Sequence, residues 1–293
     1  MKKLTFYILS FIAIILATCA VMTFPKAMPA DSSSQTLEIT FIDVGQGDST
    51  LIKTPSGETI LIDGGEYDSF QTHLMPFLLN EDIQNIDIAI ATHYHSDHMG
   101  GIYNIVERNG ARHLILPDYP DSDNSRKSLE KIASKTNTSI NYASAGDSIR
   151  THCENLSIKF LNPPEGGLMG DNFHNNSSLV LMVSYYGTSF LITGDIESRA
   201  EQEILRRTSV ECDVLKMPHH GSSTSSSKSF LRATNPTYAI ISAGEDNSYG
   251  HPHYEVLSAL EDDDVQVFRT DKDGDITFTA TKNGIQNITF SKN

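Results

Sequence analysis

Short apolar runs separated by turn residues follow one another along most of the chain, and this pattern predicts a protein of mixed α and β structure. β-branched runs at 37–43, 50–54 and 59–63 predict three early strands, and the unbroken apolar run at 86–91 is typical of a strand covered on both faces. Further strands are predicted at 114–116, 157–161, 178–186, 189–193, 213–215, 238–242, 265–269, 275–281 and 285–290, and helices at 70–79, 98–109, 125–135, 198–207 and 254–260. Strands that alternate with helices in this way predict an α/β fold of two sheets with helices outside.

The first thirty residues follow a different pattern. Lys2 and Lys3 precede an apolar run of 21 residues, which is typical of an export signal and is also long enough to span a bilayer. A cleaved signal peptide and an uncleaved membrane anchor are both open. We therefore divide the chain into residues 1–30, a signal or anchor with the start of a linker, and residues 31–293, a single domain.

The composition is that of a folded, acidic protein. The 293 residues include 22 Lys and Arg against 37 Asp and Glu, which leaves a formal charge of −15. Phosphate groups would meet a repulsive mean field, and no strong basic patch for nucleic acid is predicted. The 3 cysteines are too few for a disulfide scaffold or a Cys-rich zinc module. Whether Cys153 and Cys212 pair is left open.

The densest set of metal-ligating side chains stands directly after the apolar run at 86–91. Residues 92–98 read Thr-His-Tyr-His-Ser-Asp-His, so three imidazoles and one carboxylate fall within six residues. Imidazole nitrogen and carboxylate oxygen bind zinc, and also manganese or iron. The spacing therefore predicts a metal site with these ligands: His93, His95, Asp97 and His98.

Other acids and histidines also stand where predicted strands end. Asp195, His219 and His220 each follow such a strand. Sites in open sheets collect at the carboxyl ends of the strands, so these side chains are expected near the histidine cluster. The remaining acids and histidines of this kind are Asp43, Asp63, His251 and His253.

The His-x-His-x-Asp-His pattern at 93–98 resembles the signature of metallo-β-lactamase-fold hydrolases, and the similarity runs from about residue 39 to residue 268. Four segments, 41–49, 175–181, 219–222 and 250–253, resemble one branch of that family. This branch comprises the C-terminal hydrolase domain of the DNA-uptake competence protein ComEC and its free-standing secreted relatives. The resemblance implies a four-layer αβ/βα sandwich of two mixed β-sheets, with helices outside and metals at the upper edge of the sheets.

The resemblance also implies the metal ligands. Two divalent ions are implied, with zinc favoured and manganese as the alternative. Their ligands would be His93, His95, Asp97, His98, Asp195 and His220, with Asp195 shared between the ions. Most of the superfamily has one more histidine before the Asp195 position, where this chain has Asn-Asn-Ser-Ser at 175–178, so His174 and Asn176 are candidates for that place.

Supporting and catalytic roles complete the expected site. Asp43 and Asp63 are expected to accept ring N–H groups and so to fix the histidine tautomers. The candidates for orienting the attacking water, gripping a phosphate or protonating a leaving group are Asp97, His219, His251 and His253.

The resemblance to one branch favours a phosphodiester-containing substrate, with DNA or another phosphodiester as the candidates. Hydrolysis of a lactam, lactone or thioester is the alternative reaction, and a catalytically weak surface binding module is the alternative class of function. The protein is expected to be exported, either outside the cell or on the outer face of the cytoplasmic membrane of a bacterium. Only the N-terminal segment would associate with the membrane, and the oligomeric state is left open.

Overall fold

The computed structural model describes residues 35–119 and 124–292, together with the backbone of strand β1 (Val21–Thr23). Apart from that strand, the predicted signal or anchor at 1–30 lies outside the described residues. Within the described part of the chain, no helix is long and apolar enough to cross a membrane.

Two sheets of eight strands each form the centre of the described structure. The strands of the first sheet are β2 (Leu37–Phe41), β3 (Thr50–Lys53), β4 (Thr59–Ile62), β5 (Ile86–Ile90), β6 (Ala111–Pro117), β7 (Ser139–Ala143), β15 (Ile276–Thr281) and β16 (Gly284–Phe290). Those of the second are β1, β8 (Ser148–Arg150), β9 (Leu156–Asn162), β10 (Val180–Tyr185), β11 (Thr188–Ile192), β12 (Val214–Lys216), β13 (Tyr238–Ile241) and β14 (Gln266–Arg269). The strand orders are β16-β15-β2-β3-β4-β5-β6-β7 and β1-β8-β9-β10-β11-β12-β13-β14.

Both sheets are mixed. In the first sheet, β2, β3 and β4 pair antiparallel, whereas β4, β5, β6 and β7 run parallel. In the second, β9, β10 and β11 are antiparallel, and β11 to β14 are parallel. The helices are α1 (Leu74–Asn80), α2 (Ser96–Glu107), α3 (Asn124–Ala133), α4 (Phe173–Asn176), α5 (Ser198–Arg207), α6 (Lys228–Thr234), α7 (Tyr254–Asp262) and α8 (Thr270–Asp273). Short 3-10 turns at Asp68–Gln71 and Pro218–Gly221 complete the elements.

The period-two pattern of the strands explains why helices cover both outer faces. In β4, Ile60 and Ile62 belong to the core between the two sheets, and Leu61 faces the helical layer that includes Ile102 of α2. The second sheet likewise buries Phe190 in the central core and its neighbour Leu191 in a third core on the other side. The predicted α/β class, with two mixed sheets and helices outside, is confirmed.

The main differences from the sequence-based prediction lie at weakly patterned segments. The helix predicted at 70–79 is a 3-10 turn followed by α1, because the backbone at His73 is not helical (φ −126°, ψ −70°). Strand β7 was not predicted, since most of its residues are exposed or half-buried and its pattern is polar. The sequence leaves open whether Cys153 and Cys212 pair, and in the structure both are free thiols.

Candidate metal centre

The parallel strands bring the chemistry-bearing loops to one edge of the two sheets. In the first sheet, Asp63 follows β4 and the histidine cluster at 92–98 follows β5. In the second sheet, Asp195 follows β11, His220 follows β12 and Ser242 follows β13. The site is therefore assembled from both halves of the sandwich.

Three groups of potential ligand atoms are found among the described residues, and two of them share Asp195. Within each group, the ligand atoms all lie within 4.8 Å of one another. The two that share Asp195 consist of Asp97, His98, Asp195 and His220, and of His93, His95 and Asp195; the third consists of Asp48, Asp63 and His98. The six ligands expected from the sequence are thus brought together in the two ligand groups that share Asp195.

Buried polar atoms without hydrogen-bond partners show that these residues fit metal ions. Among the described residues, His98 Nε2, His220 Nε2 and Asp195 Oδ1 are buried and lack a hydrogen bond of acceptable geometry. His98 Nε2 lies 3.1 Å from Asp195 Oδ1, and His220 Nε2 lies 3.7 Å from Asp195 Oδ2. Leaving buried polar atoms unpaired is costly, and a cation bound between nitrogen and carboxylate donors would satisfy all three.

Hydrogen bonds to the opposite ring nitrogens aim the imidazoles at the cluster. His98 Nδ1 lies 2.8 Å from Asp63 Oδ2, and His220 Nδ1 lies 3.0 Å from the Ser242 carbonyl oxygen. Asp63 is itself held by Thr92, whose backbone N–H and hydroxyl both donate to it at 2.7 Å. A proton held on Nδ1 leaves Nε2 available as a ligand, so these contacts select the metal-binding tautomer.

Two glycines allow helix α2 to pack closely against the neighbouring loops. A Cβ on Gly101 would lie 2.1 Å from the Gly64 carbonyl oxygen, so only glycine allows α2 to approach the loop that carries Asp63. Gly47 has φ +133°, and a Cβ there would lie 2.3 Å from the Asp97 carbonyl oxygen. These glycines therefore permit the close packing that places the first turn of α2, with Asp97 and His98, beside the cluster.

The backbone at the second histidine pair is strained. His219 and His220 both adopt left-handed conformations, with φ of 51° and 54°. Such conformations cost about 1–3 kcal/mol each for residues other than glycine, and they concentrate at functional sites. Here they turn both rings towards Asp195, whose Oδ2 lies 3.8 Å from His219 Nε2.

Asp48 and Lys216 form a buried ion pair to which the sequence analysis gave no role. Lys216 is 1% exposed, and its Nζ donates to Asp48 Oδ2 at 2.7 Å and to the Met217 carbonyl at 3.0 Å. The other oxygen, Asp48 Oδ1, lies 3.2 Å from His220 Nδ1. The pair thus joins the loop after β2 to the end of β12 directly beneath His220.

The carboxylates of the cluster set the protonation of its histidines. Burial alone would lower the pKa of His220, but Asp195 and Asp48 outweigh it and raise the pKa to about 10. Burial likewise opposes protonation of His98, and Asp195 and Asp63 nevertheless raise its pKa well above the usual value. A bound metal would replace protons on these rings, so metal affinity is expected to rise with pH.

Comparison with known proteins agrees with this geometry. The profile described as Metallo-beta-lactamase superfamily matches residues 42–131 and 173–245, more than half of the chain. The chain belongs to the metallo-beta-lactamase superfamily. Membership implies divalent metal binding, and the two ligand groups supply suitable donors for it.

The curated proteins similar to this metallo-beta-lactamase chain show which members of the superfamily it resembles. It is 32% identical over 277 residues to ComE operon protein 3 of Bacillus subtilis (strain 168), covering 89% of this chain and 35% of that protein. It is 29% identical over 265 residues to competence protein ComA of Neisseria gonorrhoeae, covering 89% of this chain and 34% of that protein. The resemblance to ComEC-like competence proteins is confirmed, and the chain spans about a third of the length of these relatives.

Solved structures support the fold. The metallo-beta-lactamase fold protein YhfI from Bacillus subtilis superposes with a TM-score of 0.50 at 13% identity, covering 79% of this chain and 96% of that chain. At this identity the likeness concerns the fold alone, and it agrees with the two-sheet sandwich described above.

Two residues predicted for the metallo-beta-lactamase site lie elsewhere. The side-chain oxygens of Asp43 accept hydrogen bonds from Lys292 Nζ at 2.7 Å and from the Gly45 backbone N–H at 3.2 Å, and within the described part of the chain no histidine ring is among its partners. The side-chain oxygen of Asn176 accepts from the backbone N–H groups of Glu197 and Ala200, both at 3.2 Å, so it caps the start of α5 and does not face the metal ligands.

His174 lies beside the cluster. Its ring is 5.7 Å from the ring of His95, and its Nδ1 lies 3.3 Å from the Tyr119 hydroxyl. Among the described residues it belongs to neither ligand group. The group of His93 and His95, whose Nε2 and Nδ1 are 3.1 Å apart, therefore has one histidine fewer than is usual in the superfamily.

His251 and His253 lie on the side of the cluster next to His220. The His251 ring lies 6.0 Å from that of His220 and 4.9 Å from that of His253. Burial, and then the neighbouring His220 and His219, lower the pKa of His251 to about 4, so this ring is neutral at physiological pH. His253 Nδ1 accepts a hydrogen bond from the Ser223 backbone at 2.8 Å, which leaves its proton on Nε2.

Replacing Asp63 by asparagine is expected to weaken metal binding about 10- to 100-fold, because the amide supports the His98 ring less well than a carboxylate does. Asp43→Asn is the matched control, since Asp43 also follows a strand but pairs with Lys292. Competition with a chelating dye at fixed pH measures both affinities, with circular dichroism as the check of folding. Equal losses in the two variants would contradict the role of Asp63.

Proposed function

We propose that this chain is a metal-dependent hydrolase that acts on phosphodiesters through two divalent ions. The observation that carries the proposal is the pair of ligand groups that share Asp195, since two metals side by side suit in-line displacement at phosphorus. The similarity to competence proteins supports a nucleic-acid or phosphodiester-related role. Zinc is the favoured metal and manganese the alternative.

The residues around the ligands supply binding and proton transfer. Bound divalent ions would acidify water and neutralise charge on a phosphoryl oxygen. His219 borders both the cluster and solvent, with a side chain that is 21% exposed, and Thr224 Oγ1 lies 3.1 Å from its Nδ1. It is therefore placed to hold a phosphoryl oxygen or to protonate the leaving group. Asp97, at 22% exposure, is placed to orient the attacking water.

The full-length protein, loaded with zinc or manganese, tests the proposal with bis-p-nitrophenyl phosphate. We expect turnover of this diester and about two bound ions per chain by mass spectrometry, with both reduced in His95→Ala. His113→Ala is the control, because His113 lies within β6 and contacts Ser139. Turnover of nitrocefin without turnover of the diester would favour a carbonyl substrate, and turnover of neither would favour a binding module.

We also propose that residues 1–30 direct export or anchor the chain in the membrane, and that residues 31–293 form one hydrolase domain outside the cytoplasm. The apolar run after Lys2 and Lys3 supports the first part. The two-sheet sandwich formed by β2 to β16 supports a single domain over residues 31–293.

A further inference from the structure

The loops around the ligand cluster carry acids and no exposed cation. Each of these loops contributes a ligand or a ring in contact with one: 63–73, 92–95, 163–178, 193–197, 217–227 and 242–253. None of them contains Lys or Arg, whereas Asp68, Asp171, Glu245 and Asp246 are exposed. Proteins that bind polyanions through phosphates need Lys or Arg beside the site. These loops themselves therefore offer no cation for the phosphates that flank a scissile bond.

The cations that lie farther along the same edge are already paired. Arg269 donates to Asp271 at 2.6 Å, and Lys272 lies 3.8 Å from the same carboxylate. Lys292 is paired with Asp43. These three cations are therefore engaged by carboxylates, and an exposed cation that borders the loops of the site is Arg199 of α5, whose guanidinium lies against Gly170.

Tyr249 offers a contact that is not an ion pair. It is 64% exposed, and its ring lies nearly parallel to that of His251, with centroids 5.6 Å apart and an interplanar angle of 17°. His251 is 9% exposed, and its Nδ1 is buried without a hydrogen-bond partner among the described residues. The exposed Tyr249 ring is thus in an offset stack with the His251 imidazole, whose ring in turn lies 6.0 Å from that of His220.

We propose that Tyr249 is a stacking platform for a nucleobase joined to the scissile phosphodiester, so that the site takes nucleotide diesters or the ends of single-stranded nucleic acid. This inference rests on the proposed phosphodiesterase function and specifies its substrate. Stacking on aromatic side chains holds successive bases without reading their sequence and needs no cation. Stacking on Tyr249 would supply binding affinity that the acidic loops around the cluster do not supply.

The amide in the same loop as Tyr249 is not free to bind a substrate. Asn247 is used by the backbone of its own loop. Its Oδ1 accepts from the His251 N–H at 3.0 Å, and its Nδ2 donates to the carbonyls of Gly244 at 2.9 Å and His251 at 2.7 Å.

Two esters with the same leaving group test the proposal on the full-length, metal-loaded protein. These are thymidine 5′-(p-nitrophenyl phosphate) and methyl p-nitrophenyl phosphate, which lacks the base. We expect Tyr249→Ala to lower kcat/KM for the thymidine ester roughly tenfold, mainly through KM, and to leave the methyl ester unchanged. Tyr249→Phe should retain the wild-type values. Tyr186→Ala is the control, because Tyr186 is an exposed tyrosine at the far end of the β10–β11 hairpin.

A binding measurement keeps the inference independent of turnover. Calorimetry with the dinucleotide thymidylyl-(3′→5′)-thymidine should show a roughly tenfold weaker Kd for Tyr249→Ala, and little change between roughly 50 and 200 mM salt. Equal kinetic losses for both esters, an unchanged Kd or a steep salt dependence would overturn the inference. If Tyr249→Ala lowers kcat/KM for glycerol p-nitrophenyl phosphate to the same extent, the group that stacks on Tyr249 is a polyol and not a nucleobase. If neither ester is hydrolysed by the wild type, the proposed function fails, and the dinucleotide Kd still decides the role of Tyr249.

Discussion

Asp195→Asn is expected to remove bound metal and to lower diester turnover more than about 100-fold, beyond the loss typical of residues that only orient ligands. The reason is that one carboxylate serves both ligand groups, with Oδ1 3.1 Å from His98 Nε2 and Oδ2 3.9 Å from His93 Nε2. An amide keeps the size of the side chain but loses its charge. Mass spectrometry of bound metal and the diester assay measure the two effects.

Asp262→Asn provides the matched control, because Asp262 is exposed at the end of α7 that lies away from His253. It should keep both metal and turnover. A folded Asp195→Asn protein that retains its metal and its activity would show that Asp195 is not the shared ligand. Circular dichroism of the metal-free proteins separates this result from loss of the fold.

Lys216→Met is expected to cost about 3–5 kcal/mol in the free energy of unfolding, because it leaves the carboxylate of Asp48 buried without its partner. Burial alone would raise the pKa of Asp48, but Lys216 and His220 hold it at about 2. The contribution of the pair is therefore present above the ordinary pKa of 3.8 and is lost as the pH falls towards 2. Urea unfolding in the presence of a chelator measures the stability without the contribution of metal.

A second substitution separates the ion pair from other effects of the change. Lys216→Met combined with Asp48→Asn should recover much of the lost stability, since the buried carboxylate is removed together with its ammonium partner. Lys53→Met is the control, because Lys53 pairs with Glu81 at the surface, where such pairs contribute less than about 1 kcal/mol. If Lys216→Met costs no more than Lys53→Met, the buried pair does not stabilise the fold.

Local patterns were sufficient to predict the architecture and most of the ligand cluster. The apolar run before Thr92 predicted a buried strand, and three histidines with one aspartate directly after it indicated a metal site without knowledge of the fold. Strand ends also pointed to Asp195 and His220. The structure brings these residues together because the carboxyl ends of parallel strands meet at one edge whatever the details of packing.

Local sequence patterns could not predict the contacts between residues that are far apart in the chain. Asp48 meets Lys216 across 168 positions, and Asp43 meets Lys292 across 249. Asp43 and Asp63 both follow strands, and only the packing of α2 decides which of them reaches a histidine. Asn176 was expected near the metals because of its position before Asp195, but the free N–H groups at the start of α5 engage its amide.

The origin of the ligands in both sheets has a mechanical consequence. An ion held by these ligands would join the loops after β5 to the loops after β11 and β12, and so would cross-link the two halves of the sandwich. Free metal at about 100 times its Kd would add about 2.7 kcal/mol to the stability of the folded state. Removal of metal would therefore weaken the connection between the two sheets and make the protein more susceptible to proteolysis.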